Sequence, residues 1–223
     1  MNMRGLLAAG MGVLLSTGSA WGQGNEEACG AVGNLEVGHW AAYEFSGVPG
    51  QDVSSVRFAI VESEGEDFWY EFSAATSEGA VIVQLLVPGF PFQPADIRQV
   101  VMKAGDQPAM KLPSQMVSMM QQQMGPNPML DFAKECASAK SLGRESVGVP
   151  AGTFDAWHLE NVDERGNVWI SSDVPFGVVK GTWKDGGEMA LEAFGTDATS
   201  SITETPTEGF PGLPTGGPPS GNR

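Results

Sequence analysis

The chain is poor in the side chains that most reactions need. Its 223 residues include two His and two Cys, which leaves little room for a multinuclear metal site. It has no Gly-x-Ser-x-Gly elbow, no phosphate-binding glycine loop and no His-Glu-x-x-His helix. Basic residues are also scarce, 12 against 27 acidic ones. The resulting net charge of −15 excludes nucleic acid and anionic membrane surfaces as primary partners, because Lys/Arg clusters carry binding to both. No apolar run approaches the roughly 20 residues that a membrane-spanning helix requires. What is abundant is Gly (30) and Pro (15), a composition that favours short strands and tight turns over a helical bundle. The expectation is a protein that is not an enzyme and uses no cofactor or metal.

Residues 1–22 have the form of a secretory signal. Arg4 supplies the positive start, Gly5 to Leu15 the short apolar stretch, and Ser16 to Gly22 the small residues, with cleavage after Ala20 or Gly22. Cys29 follows Asn25-Glu26-Glu27-Ala28, which is no lipoprotein cleavage box. Two Cys in an exported chain read as one disulfide, Cys29 to Cys136, tethering an N-terminal segment at 23–36. Closing so long a loop contributes roughly 4–5 kcal/mol in the chain-entropy model. The expectation from these features is a mature protein in the periplasm or outside the cell, soluble rather than membrane-spanning; a monomer is the expected form, though no feature of the sequence fixes it.

The body of the chain, 37–198, reads as β structure. His39 to Phe45 is aromatic-rich, and Val56, Phe58 and Ile60 alternate with Arg57 and Ala59, as do Phe68, Tyr70 and Phe72 with Trp69 and Glu71. Val81 to Val87 is a continuous apolar run, expected to be buried on both faces, and Ile97 to Met102 adds another strand. After a break the pattern resumes at Val147–Val149, 154–162, 167–172, 178–183 and 188–194, with hairpin loops at Asp163-Glu164-Arg165-Gly166 and Lys184-Asp185-Gly186-Gly187. The break, about 114–140, is helical. Ser114 caps one helix with Met116, Met119, Met120 and Met124 on one face. Asn127-Pro128 starts a second that carries Phe132 and Cys136. The last residues, 199–223, rich in Gly and Pro, are expected to be a disordered tail. The sum is a mainly β (α+β) domain of nine or ten antiparallel strands in meander order. The expected form is a strongly curved sheet or incomplete barrel with a short helical insertion covering its concave face; a closed barrel or sandwich is the competing form.

Val149-Pro150-Ala151-Gly152-Thr153-Phe154 and Trp169-Ile170-Ser171-Ser172-Asp173-Val174-Pro175-Phe176-Gly177-Val178-Val179-Lys180 resemble the end of exported bacterial proteins with a LolA/LolB-like fold, many of them uncharacterised. The resemblance covers roughly Gly143 to Gly195. It implies an incomplete β-barrel covered by helices, with an apolar cavity that holds acyl chains in some members. The lipoprotein carriers of this fold use an inward Arg to hold the lid closed, for which Arg57 and Arg98 are the candidates here. The motifs are signatures of a fold rather than of a site.

Among candidate site residues, His39 and His158 sit in strand-like segments among aromatics, where a structural role competes with ligand contact. The acidic groups Glu62, Glu64, Glu66, Asp67 and Asp163, Glu164 lack the ligand alternation of a Ca²⁺ loop and read as solvated hairpin tips. The Met-rich segment is the most informative feature, since thioether side chains suit an adaptable apolar surface. Met116, Met119, Met120 and Met124 are lid candidates, and Trp69, Trp157 and Trp169, with Trp40 and Trp183, are cavity candidates. The reading is an envelope protein binding an apolar or lipid-like molecule. Its alternative is a structural module with a fully packed core whose partner is another envelope protein.

Overall fold

The computed structural model describes residues 23–30, 32, 35–47, 53–77, 79–123, 136–161 and 166–209. The expected signal segment, Met124, most of the second helix, the tip at Asp163 and Glu164, and residues 210–223 lie outside the described residues.

One sheet of twelve strands makes up the molecule, in two antiparallel meanders. The first contains β1 (Trp40–Ser46), β2 (Ser55–Glu64), β3 (Asp67–Thr76), β4 (Gly79–Val87), β5 (Gln99–Ala104) and β6 (Met110–Lys111). The second contains β7 (Lys140–Val149), β8 (Gly152–Glu160), β9 (Gly166–Ile170), β10 (Val178–Trp183) and β11 (Glu188–Gly195). They join where β1 pairs with β11, Trp40 opposite Gly195. A short β12 (Thr207–Glu208) lies parallel to β6, so the order runs β12-β6-β5-β4-β3-β2-β1-β11-β10-β9-β8-β7. The sheet does not close, and the closed-barrel alternative is set aside. The expected all-antiparallel order is corrected at β12, whose two residues carry no strand pattern of their own.

Alternation along the strands separates two faces. Val56, Phe58 and Ile60 on β2, Tyr70 on β3, and Leu85 and Val87 on β4 belong to the main core on the concave face. The apolar run at 81–87 is buried on both sides, because Ile82 packs against a second cluster on the outer face. Helix α2 (Ser114–Gln123) follows β6 and seats Val117, Met116 and Met120 on the concave core. The Gln121 amide fixes it by donating to the Ile97 carbonyl at 2.8 Å. Since β6 and β7 stand near opposite ends of the sheet order, the intervening residues connect one end of the sheet to the other. A helix α1 (Gln23–Gly30) precedes the sheet, and the Cys29–Cys136 bridge is formed, with a Cα–Cα separation of 5.8 Å. Ala28, Val32, Cys136, Leu159 and Ile170 pack around it.

The domain does not end at residue 198. Residues 196–206 cross the outer face of the first meander, strand by strand. Asp197 accepts a hydrogen bond from Trp40 Nε1 at 2.8 Å, and Ala198 packs with Ala59 and Val61. Glu71, 1% exposed, accepts bonds from the Ser201 amide, the Ser201 hydroxyl and the Gln84 amide. Ile202 packs with Val101 and Ala109, and Glu204 pairs with Lys103. Part of the segment expected to be a disordered tail, from residue 199 on, is here the hydrogen-bonding complement of a buried carboxylate.

Candidate functional site

Among the described residues, the concave face is not filled. A cavity of about 520 Å³ lies against it. Phe45, Tyr43, Phe58 and Tyr70 come to it from β1–β3, and Val168, Ile170, Val178, Gly181 and Met189 from β9–β11. Phe90, Phe176, Val32, Cys136 and Ala139 also contribute to its wall, and Trp183 stands at its rim, 41% exposed. Its polar lining residues are neutral, among them Asn161, Asn167 and Thr182, and no charged side chain lines it among the described residues. A smaller cavity of about 150 Å³, walled by Leu35, Ile60, Phe68 and Val87, shares Tyr70 and Phe90 with the larger one.

Three local features shape this space. Gly181 lies in the interior of β10, opposite Met189 on β11. A Cβ built there would meet the Met189 side chain at 3.7 Å, so the missing side chain is missing on the cavity side. Glycine inside a strand marks a bulge, a bend or a place where a ligand approaches the backbone, and a register shift does lie beside it, between Val178 and Lys180. Phe176 holds φ at +64°, a left-handed conformation that costs a bulky L residue about 1–2 kcal/mol. In return its ring packs against Phe58, Tyr70 and Phe90 at centroid distances of 6.0, 6.1 and 5.8 Å. The tyrosines form the third feature. Tyr43 donates to the Val178 carbonyl at 3.0 Å, whereas the Tyr70 hydroxyl has no hydrogen-bond partner among the described residues. Burial raises both phenol pKa values well above the usual range, and for Tyr70 the neighbouring Tyr43 raises it further.

Few of the residues singled out from sequence lie here. Met116 and Met120 face the main core but are not among the cavity's lining residues. Met119 is 52% exposed: at 100° per residue it lies on the opposite side of α2 from Val117, the true centre of the buried stripe. Trp69 lies on the outer face, donating to Glu64 and packing against Ala59 and Val61. Trp157 packs on the disulfide cluster beneath the Arg144 guanidinium, 5.4 Å from the ring. Trp169 alternates with Val168 and Ile170, so it faces away from the cavity, stacked on His158 at 4.4 Å. That imidazole is held between Glu145 and Asn167, 2.9 Å from each. His39 accepts the Glu36 amide in a turn. Of the five tryptophans considered, Trp183 alone lines the space, stacked on Phe45.

Neither candidate arginine points inward. Arg57 lies over the Trp40 ring and beside Glu71 on the outer face, and Arg98 pairs with Asp67 at 2.7 Å in an exposed position. The inward Arg that the family resemblance implies is therefore not supplied by these two. Asp67 itself is buried, unlike the solvated tip expected for it. The cavity's own wall residues carried a weak sequence signal: Phe90 and Phe176 sit in Pro/Gly turns, and Gly181 interrupts a strand pattern.

No protein-family model matches the chain, and no curated protein matches it in sequence. Solved structures are similar to it at low identity. A hypothetical protein from Chlamydia trachomatis is 15% identical with a TM-score of 0.45, over 77% of this chain and 93% of that one. A protein described as exported, with a YmcC-like fold, from Bacteroides fragilis is 11% identical with a TM-score of 0.35, over 74% and 98%. A protein described as a lipoprotein, from Parabacteroides distasonis, is 12% identical with a TM-score of 0.34, over 72% and 96%. Superpositions this loose carry no argument about fold or function, and the LolA/LolB-like resemblance rests on the sequence motifs alone.

Proposed function

We propose that the protein binds an apolar or weakly polar small molecule in the concave-face cavity, as an exported protein of the cell envelope. The observation that carries this reading is a 520 Å³ space, within the range of about 300–1,000 Å³ typical of ligand sites, with an aromatic and aliphatic wall and a few neutral polar groups. Gly181 supports it, because a Cβ there would make only ordinary contact with Met189 and is nonetheless missing. The signal-like residues 1–22 and the Cys29–Cys136 bridge support the compartment, since disulfides persist where thiols are not kept reduced. The packed-core alternative has no cavity of this size in it.

The test is Gly181→Val. A β-branched residue suits a strand interior, and its methyl groups would occupy the cavity. The variant should fold with unchanged or raised stability and bind the apolar fluorophore N-phenyl-1-naphthylamine at least tenfold more weakly than wild type, about 1.4 kcal/mol. Equal binding by both proteins, or none by wild type, refutes the reading. Native mass spectrometry of the purified protein provides a second measurement, as a co-purified mass.

A further inference from the structure

We propose that the ligand is a neutral molecule with a hydrogen-bond acceptor, of the acyl ester or ketone class, and that its carbonyl oxygen is held by the buried hydroxyl of Tyr70. This rests on the cavity reading and specifies the chemistry of its occupant.

Tyr70 is 7% exposed and lines both cavities. Phe58, Phe90, Phe92 and Phe176 surround its ring at 5.5–6.1 Å. Each of these neighbours is a hydrocarbon, and the phenol they enclose has no protein partner among the described residues. An unsatisfied buried hydroxyl is costly, and a phenylalanine of the same shape would avoid that cost. The fold manages its other buried tyrosine otherwise, giving the Tyr43 hydroxyl the Val178 carbonyl. The contrast between two tyrosines in one core assigns the free hydroxyl to something that enters from outside.

Which chemistry enters follows from charge. Burial holds the Tyr70 phenol protonated at every physiological pH, so it offers a donor and calls for an acceptor. A carboxylate would satisfy it, but no Lys, Arg or His lines the cavity among the described residues, and an unpaired anion in an apolar site carries a heavy desolvation cost. The strongly acidic chain opposes an anion as well. A carbonyl avoids both costs: it accepts one bond from Tyr70 while its alkyl or aryl body fills the aromatic and aliphatic wall.

The experiment displaces N-phenyl-1-naphthylamine with methyl decanoate, decanoate and dodecane, from wild type and from Tyr70→Phe. Wild type should take the ester at least tenfold more tightly than the carboxylate at neutral pH. Tyr70→Phe should weaken the ester about three- to tenfold, the range of one net hydrogen bond, and leave dodecane unchanged or tighter. Without ligand, Tyr70→Phe should melt at the same temperature as wild type or higher. Ester and dodecane weakened equally would mean a packing role, and a melting temperature lowered in the absence of ligand would mean a protein partner for the hydroxyl; either overturns the assignment. Carboxylate bound as tightly as ester overturns the neutral class. A wild type that binds none of the four compounds overturns the cavity reading and this one together, whereas hydrocarbon binding with an indifferent Tyr70→Phe overturns this one alone.

Discussion

The chain has two tyrosines, and both are buried in the same aromatic core, which makes tyrosinate absorbance a direct report on that core. Burial raises both phenol pKa values in the folded state. A group whose folded pKa lies above its unfolded value stabilises the fold fully below the unfolded pKa, near 10, and the contribution is lost as pH rises beyond it. Above pH 10 the unfolded chain releases two protons that the folded one retains. Stability should then fall by about 1.4 kcal/mol per pH unit for each tyrosine. In an alkaline titration at 295 nm neither tyrosine should ionise near pH 10 in the folded protein, and absorbance should appear only with loss of the circular dichroism of the sheet. A tyrosine titrating near 10 with the sheet intact would mean that its hydroxyl reaches water. Phe176 sits at the same scale. Its left-handed backbone is tolerated because its ring is enclosed by three aromatic neighbours, an example of local strain offset by packing.

Among the elements, α2 tests how a stripe should be read. The spacing of Met116, Met119, Met120 and Met124 suggests one apolar face, but the helix is centred on Val117, which shifts the buried arc and leaves Met119 outside it. Met119→Gln should change stability by less than about 0.5 kcal/mol, as surface substitutions do, while Met120→Gln places an amide against the core and should cost about 1 kcal/mol or more. Chemical denaturation of the two single variants separates them; equal effects would mean that the helix is rotated from the position described. The strap at 196–206 is the second such element. Its Ser200, Ser201 and Glu204 look like linker residues in sequence because hydrogen-bonding partners from other strands have no local signature. Glu71 likewise reads as the outward half of an alternating strand. Its alternation was legible, but the chain segment lying over it was not. Relative to a chain ending at Gly209, one ending at Thr199 should be destabilised by about 3 kcal/mol or more. It leaves Glu71 buried with its Ser201 bonds removed and exposes Val101 and Ala109, which Ile202 covers. If the two melt together, the strap contributes no stability and the shorter boundary is correct.

At the scale of the whole molecule, the open sheet is held by connections across both faces. The first meander and most of the second are legible in the sequence because period-two alternation and turn residues are local signals; β7 was not legible over most of its length, since its edge position leaves polar residues facing both ways. A cavity was expected from the sequence, but of the residues named for it only Trp183 lines it. It forms where residues from β1–β3, β9–β11 and two turns converge, and such convergence depends on the sheet's curvature rather than on any one segment's pattern. The Cys29–Cys136 bridge belongs to this scale because it closes a 107-residue separation and because Val32 and Cys136 line the cavity. Replacing both cysteines with Ala should therefore have two effects. Stability in denaturant should fall by about 2–5 kcal/mol, the usual cost of losing a native disulfide from a secreted domain. Affinity for N-phenyl-1-naphthylamine should also fall, because α1 and Val32 then lose their covalent tether to the wall. In protein isolated without reductant, mass analysis should find the wild type two hydrogens lighter than its reduced form. If the double variant loses stability but binds the fluorophore as wild type does, the bridge braces the fold without shaping the cavity, and the wall formed by Val32 does not contribute to the site.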